Sequence, residues 1–260
     1  MLNLEKILLH YTNRLAGKSV WLKGSILRSI WLLPESMRQP SELRSVLNRL
    51  AKLQKSVFFL NIGANDGLSN DPLREFVVGY QWSGIMVEPV GYVFRRLQRA
   101  YCNFGNVILE NAALAEQNGV KEFWYLKPSK MMELNYDQMG SFSKEHLMKF
   151  DKIVPNLEGR MVKESMKCIT LASLLEKHHA RSPDLIHVDT EGYDFEVLKQ
   201  IDFSVPPKVI VFEHEHLSKA DLKASHDLLM RENYLLAREG GNTIAYKNLP
   251  AGVTQLKLDR

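Results

Sequence analysis

The chain has 260 residues, of which 45% are hydrophobic and 25% charged; these are ordinary proportions for a soluble protein, and the length suits one α/β domain with an appendage and a full core. Two cysteines, Cys102 and Cys168, are too few for a disulfide framework or a structural zinc site, which fits a reducing compartment. Residues 1–33 carry five basic side chains against Glu5, a net +4 that equals the formal charge of the whole chain, so the remainder is neutral and offers no basic platform for nucleic acid.

Residues 2–16 set Leu4, Leu8, Tyr11 and Leu15 at helical spacing, and residues 20–33 repeat the pattern with Leu22, Ile26, Ile30 and Leu33. Two amphipathic helices are predicted, parted near Gly17 and ended by Pro34. Their apolar stripes need cover, either from the main domain, from a second copy in a homo-oligomer, or from an anionic membrane surface met by the basic face with Trp21 and Trp31. No secretory signal pattern opens the chain and no apolar run approaches the roughly 18 residues that cross a bilayer. The expected location is therefore the cytoplasm, with the arm peripheral to the inner face of a membrane in the last case.

Residues 41–53 read as a third helix, with Ser41 as N-cap and Leu43, Val46, Leu47, Leu50 and Leu53 along one side. Residues 1–55 are thus an N-terminal helical arm, and residues 56–250 the main domain. That domain opens on Val57-Phe58-Phe59-Leu60-Asn61-Ile62, an apolar run suited to a strand buried on both faces, which breaks into a loop with Gly63 and Gly67. A helix at 72–78 follows, then a strand at 84–87 that ends in Glu88-Pro89, and a helix at 93–101. A strand at 107–110 exits through Asn111-Ala112-Ala113, and another strand spans 119–126. Periodicity then fades from 127 to 166, a methionine-rich segment read as an irregular insertion in which Gly140-Ser141-Phe142-Ser143 is small and polar enough to approach a ligand.

Beyond it come a helix at 171–178, a strand at 185–188 running into Asp189-Thr190-Glu191-Gly192-Tyr193-Asp194, and a helix at 195–201. A strand at 209–212 ends in Glu213-His214-Glu215-His216, a helix covers 221–232, and residues 234–238 with 243–246 form a closing hairpin. Alternating strands and helices that finish on a hairpin predict a doubly wound, mostly parallel α/β sheet with an antiparallel last strand.

In such a sheet, ligands sit outside the carboxyl ends of the strands. Glycine at Gly63 lets the backbone come close to a ligand, and Glu88, about twenty residues on at the end of the second strand, is placed to accept from the two hydroxyls of a ribose. Asp189, Glu191, Glu213 and His214 all fall at or just beyond strand ends, the positions that gather side chains on the cofactor side. Strand alternation would turn Glu213 and Glu215 one way and His214 and His216 the other. Asp189, Glu213 and His214 are candidate ligands for a divalent metal ion, since mixed oxygen and imidazole donors can hold a cation that acidifies a bound hydroxyl. His178-His179 reads as an ordinary helix end.

Asn-Ile-Gly-Ala-Asn-Asp-Gly at 61–67, Val-Glu-Pro at 87–89, Asn-Ala-Ala at 111–113 and His-Val-Asp-Thr-Glu-Gly-Tyr-Asp-Phe-Glu-Val-Leu-Lys at 187–199 resemble the FkbM family of S-adenosylmethionine-dependent methyltransferases. The resemblance covers roughly residues 56–247, and its Asp-Thr-Glu-Gly-Tyr-Asp block is the most specific part. It implies the seven-stranded class I methyltransferase fold, S-adenosyl-L-methionine as donor, and O-methylation of a hydroxyl on a sugar, glycan, glycolipid or secondary metabolite such as a polyketide. It also implies a cofactor site of Asn61, Gly63, Ala64, Asn65, Gly67, Glu88, Pro89, Asn111, Ala112 and Asp189, with Ser141 and Tyr193 toward the acceptor. Two departures stand out: Asn61 occupies a position where many class I methyltransferases have an acid, and Asn65 replaces the middle glycine of the broader Gly-x-Gly-x-Gly pattern.

Two readings of another class remain open at this level. An NAD-dependent oxidoreductase would use Glu88 on the adenine ribose, but the loop lacks the Gly-x-Gly-x-x-Gly spacing that seats a pyrophosphate. A non-catalytic methyltransferase-like binding protein would keep Gly63 and Glu88 and have no use for the acids after residues 188 and 212.

Overall fold

The computed structural model describes residues 41–69, 71–127 and 139–249, so the two helices predicted within residues 1–33 lie outside the described residues. Helix α1 (Glu42–Leu53) begins where predicted, with the Ser41 side chain accepting from the Arg44 N–H at 3.1 Å. Its apolar side buries Val46, Leu47 and Leu50 in the same cluster as Phe59 and Val211 of the central sheet, so this helix, counted with the arm in the sequence, packs on the main domain. Each such side chain contributes roughly 1.5–3 kcal/mol by leaving water. Glu239, at the far end of the chain, accepts from Ser41 Oγ and Leu43 N–H and fixes the helix start to the sheet.

From there the chain runs β1 (Phe58–Ile62), α2 (Arg74–Tyr80), β2 (Ser83–Val87), α3 (Gly91–Ala100) and β3 (Val107–Glu110). After an excursion it returns as α6 (Leu171–Lys177), β8 (Leu185–Val188), α7 (Asp194–Leu198), β9 (Val209–Glu213), α8 (Lys219–Arg231), β10 (Leu235–Glu239) and β11 (Asn242–Tyr246). The strands form one seven-stranded sheet in the order β10-β11-β9-β8-β1-β2-β3. Pairings from β9 through β3 are parallel, and β11 lies antiparallel to both β9 and β10. This is the doubly wound sheet that the sequence predicts, with its chain reversal between β1 and β8.

The apolar runs are explained by cover on both faces. Phe58, Leu60 and Ile62 point into a cluster with Leu174, Val197 and Leu229 from α6, α7 and α8, whereas Phe59 points into the other with Leu50, Phe76 and Leu97 from α1, α2 and α3. Among the described residues no helix is long and apolar enough to cross a membrane.

The excursion is more regular than the sequence suggests. It holds β4 (Ala113–Leu114), β5 (Gly119–Leu126), β6 (Gly140–Ser141), α4 (Lys144–Met148), α5 (Leu157–Arg160) and β7 (Met161–Ile169), and its strands make a second sheet in the order β4-β7-β5-β6. Eight register pairs, from Gly119–Cys168 to Leu126–Met161, tie β5 to β7 antiparallel, so residues 161–166, read as irregular, begin a nine-residue strand. Their apolar signal is weak because Lys163, Glu164 and Ser165 are exposed and the backbone ladder, rather than burial, holds them. A separate small core of Leu126, Met139, Leu147, Val154 and Leu157 supports α4 and α5. Glu110, at the end of β3, accepts from Lys167 on β7 and from Lys177, and contacts His178 Nε2 at 3.0 Å, so the C-cap histidine of α6 meets a carboxylate as well as the helix end. These partners hold Glu110 well below the usual carboxylate range, at about 2, despite the desolvation that opposes them.

Candidate active site

The exit of β1 crosses onto β2: the N–H groups of Gly63 and Ala64 both donate to the Val87 carbonyl at 3.0 Å. Gly63 has φ +80°, and a Cβ there would lie 1.7 Å from the Asp189 carbonyl oxygen, so only glycine lets the β1 and β8 exits meet. Asn65 also has positive φ, 54°, which asparagine tolerates better than most residues. Its N–H donates to Glu88 Oε2 at 3.1 Å, while Glu88 Oε1 accepts from the Val90 N–H at 2.8 Å. Glu88 is buried, and desolvation raises its carboxyl to about 7 against the pull of those two donors. A carboxylate has about four acceptor positions, so roughly two remain for a ligand.

These residues line one open cleft. Of the cofactor positions expected from the sequence, Gly63, Asn65, Glu88, Pro89, Ala112 and Asp189 face it. The others support it from behind. Asn61 is buried and its Oδ1 meets His187 Nδ1 at 2.9 Å, a pair below the cleft floor whose imidazole is held neutral by burial, which pushes it down to about 4. The Ala64 side chain packs in the core and the carbonyl of Ala64 accepts from Gly67 N–H. Gly67 fits close against Leu97 and Tyr101. Asn111 donates from Nδ2 to the carbonyls of Glu88 and Pro89 at 2.8 and 2.9 Å, which fixes the acid's turn.

Asp189, Thr190, Glu191 and Tyr193 form the opposite wall. Asp189 N–H donates to the Ile62 carbonyl at 2.9 Å, which places the acid directly after the last β1–β8 pairing. The fully buried Asp194 shapes the following turn by accepting from Thr190 Oγ1 at 2.9 Å and Gly192 N–H at 3.3 Å, and burial raises its carboxyl to about 6. Glu191 and Gly192 within that turn both have positive φ, 53° and 95°, a conformation costly for glutamate and held by its surroundings. Asp189 is exposed to the cleft. Desolvation and the neighbouring acids raise the carboxyls of both Asp189 and Glu213 above the ordinary carboxylate range.

The structure corrects two expectations here. His214 does not join the acids: its Nδ1 meets Thr243 Oγ1 at 3.0 Å, on the side of β11. Nor does the alternation persist, because β9 ends at Glu213 and the chain turns at once, which brings His216 Nε2 to 3.8 Å from Glu213 Oε2 and 3.4 Å from Glu191 Oε2. His146 of α4, which no sequence signal singles out, comes to 3.5 Å from the same Glu191 oxygen. Only its position after the cap Ser143, whose Oγ accepts the His146 N–H at 3.1 Å, hints that it is held in place. Ser141 is buried and directs Oγ toward the Glu191 carbonyl at 3.5 Å; its neighbours Gly140 and Phe142 line the cleft instead. The Phe142 ring packs on Tyr193 with centroids 4.9 Å apart.

The family profile described as methyltransferase FkbM domain matches residues 61–240, most of the chain. No curated protein matches it significantly. Among solved structures, the methyltransferase FkbM from Methylobacillus flagellatus KT is similar at 15% identity and a TM-score of 0.48 over 74% of this chain, which spans 44% of that one's length. A precorrin-6y C5,15-methyltransferase from Geobacter metallireducens GS-15 is 12% identical over 82% of this chain and 92% of its own, with a TM-score of 0.42. An O-methyltransferase from Bacillus cereus in complex with SAH is 10% identical over 92% and 96%, with a TM-score of 0.40. S-adenosylmethionine, the donor of this family, fits the residues present: the free acceptor positions of Glu88 suit a ribose, and the Gly63 to Asn65 backbone leaves close access beside it. The match over residues 61–240, carried by a sheet of this order, means that the chain belongs to the FkbM methyltransferase domain family and holds its S-adenosylmethionine-dependent methyltransferase domain.

Proposed function

We propose that the protein transfers a methyl group from S-adenosylmethionine to a hydroxyl oxygen of a sugar, as a free glycan or glycolipid. The carrying observation is that Glu88 and the Asp189–Glu191 turn face one cleft, which lets a donor on the first and a hydroxyl on the second stand in line. When bound, the cofactor supplies an electrophilic methyl on a sulfonium. Glu88 holds the ribose, and the backbone at Gly63 and Asn65 admits the rest. Asp189 or Glu191 would accept the proton of the hydroxyl that takes the methyl group. Phe142 and Tyr193 give an apolar flank on which a sugar ring can rest.

Incubation with isotopically labelled S-adenosylmethionine and a panel of sugars, glycolipids and small polyketides tests this reading. Label in an O-methyl sugar is expected. Label in a polyketide alone would move the acceptor class, and binding of S-adenosylmethionine with no transfer to any class would favour a non-catalytic domain. We further propose that the basic arm at residues 1–33 meets an anionic membrane surface. The intact chain should then be retained on anionic vesicles and released by high salt, and deletion of residues 1–33 should remove retention. A deletion that dissociates an oligomer without changing retention would assign the arm to subunit packing.

A further inference from the structure

Behind the acceptor wall, three donor side chains from separate parts of the chain converge, and Glu213 lies beside one of them. Helix α4 in the insertion supplies His146, the turn after β8 supplies Glu191, the end of β9 supplies Glu213 and the turn after β9 supplies His216. Nε2 of His146 and Nε2 of His216 lie 3.5 and 3.4 Å from Oε2 of Glu191, and Nε2 of His216 lies 3.8 Å from Oε2 of Glu213. Donor atoms of His146, Glu191 and His216 all fall within 4.8 Å of one another. The His146 side chain is only 7% exposed, and His146 Nε2, Glu191 Oε2 and Glu213 Oε2 are buried atoms without a hydrogen-bond partner. Buried polar atoms in native folds are nearly all paired, so His146 Nε2 and Glu191 Oε2, which lie 3.5 Å apart in one cluster, call for a shared partner.

Chemistry narrows that partner. Two carboxylates repel an anion, and separations of 3.4–3.8 Å exceed the roughly 2.7–3.2 Å of hydrogen bonds between the groups themselves. Tetrahedral bonds of roughly 2.0–2.2 Å to nitrogen and oxygen set donors about 3.3–3.6 Å apart, close to what is seen. Two imidazoles with a carboxylate are a donor set for divalent transition metals rather than for calcium or magnesium. The surroundings keep the rings in place. The His146 and His216 rings meet edge to face at 5.0 Å, Phe150 packs on both, and Gly192 leaves room for the His146 ring, whose Nδ1 would lie 3.4 Å from a Cβ there.

We infer that His146, Glu191 and His216 form a site for one divalent transition-metal ion, which pins the insertion to the turns that follow β8 and β9. Its part in catalysis rests on the methyl-transfer reading: Glu191 also lines the cleft, so the ion's charge stands where an acceptor hydroxyl loses its proton.

Calorimetric titration of the full chain, first stripped with EDTA, with Zn²⁺ and separately with Mn²⁺ tests the site. Uptake of one ion per chain and a rise in unfolding temperature are expected with at least one of the two metals. His146→Ala and His216→Gln should each weaken uptake by ~100-fold or more and remove the thermal gain, with S-adenosylmethionine affinity unchanged. Glu88→Ala should do the reverse. Failure of both metals to bind the wild-type chain, or undiminished uptake by both folded histidine variants, would overturn the site. Normal metal uptake by a wild-type chain that does not bind S-adenosylmethionine would leave the site standing and remove the methyl-transfer reading.

Discussion

The two walls of the cleft are built on opposite principles. On the β1–β2 side, Glu88 accepts from two backbone N–H groups, and Asn111 donates to two carbonyls at the acid's turn. On the β8–β9 side, Asp189 and Glu213 crowd together, and His146, Glu191 and Glu213 each bury a polar atom without a partner. A satisfied wall keeps its shape before a ligand arrives, and positions it. An unsatisfied wall is held at a cost by the rest of the fold, which is the usual condition of groups that take part in chemistry.

Gly63 joins the walls, and altering it should have the largest effect. In Gly63→Ala the new Cβ would stand 1.7 Å from the Asp189 carbonyl oxygen at a φ of +80°, so either the β1–β8 exits separate or the chain does not fold. A loss of about 5 kcal/mol or more is expected in chemical denaturation. A variant with near wild-type stability would show that the walls are not rigidly coupled there.

Next come the acids of the unsatisfied wall. Asp189→Asn and Glu191→Gln keep side-chain size and remove basicity, so turnover should fall by about 10²–10⁴ with cofactor affinity near normal. Full activity in both would leave methyl transfer to alignment alone. On the satisfied wall, Glu88→Ala should weaken S-adenosylmethionine by roughly 1–3 kcal/mol in calorimetry, with little change in the rate once cofactor saturates. A fall in rate at saturation without a loss of affinity would erase the distinction between the walls.

The smallest effect lies behind β11. His226 Nε2 meets Thr243 Oγ1 at 3.2 Å, and burial, aided by the charges of Arg238 and His214, lowers the imidazole to about 4. A histidine depressed in the folded state is neutral there and protonates first in the unfolded chain. It therefore contributes stability above about 6.5 that is lost as pH falls from there toward about 4. Between pH ~7 and ~5, wild type should lose about 1–2 kcal/mol more than His226→Gln in parallel denaturation curves. Equal losses would mean that His226 does not titrate differently on folding.

Much of this molecule is written locally. The run from Phe58 to Ile62 has to be a strand covered on both faces, Ser41 has to start a helix, and residues 235–246 have to turn back on themselves at Gly240-Gly241. Each follows from the period of apolar side chains and from cap and turn chemistry within a few residues. Strand ends then locate Gly63, Glu88, Asp189 and Glu213 on one edge, because every parallel strand delivers its exit to the same side. What the sequence alone does not determine is the company those groups keep. Asn61 meets His187 rather than the cleft, His214 turns to Thr243, and His216 and His146 join the acids. The reason is distance along the chain: Glu191 and His146 lie in different sheets' connections, and His216 reaches them only because β9 stops at Glu213. Periodicity describes a segment's own faces, whereas the meeting of segments depends on how two sheets and a helix of five residues pack, and that is decided by tertiary structure.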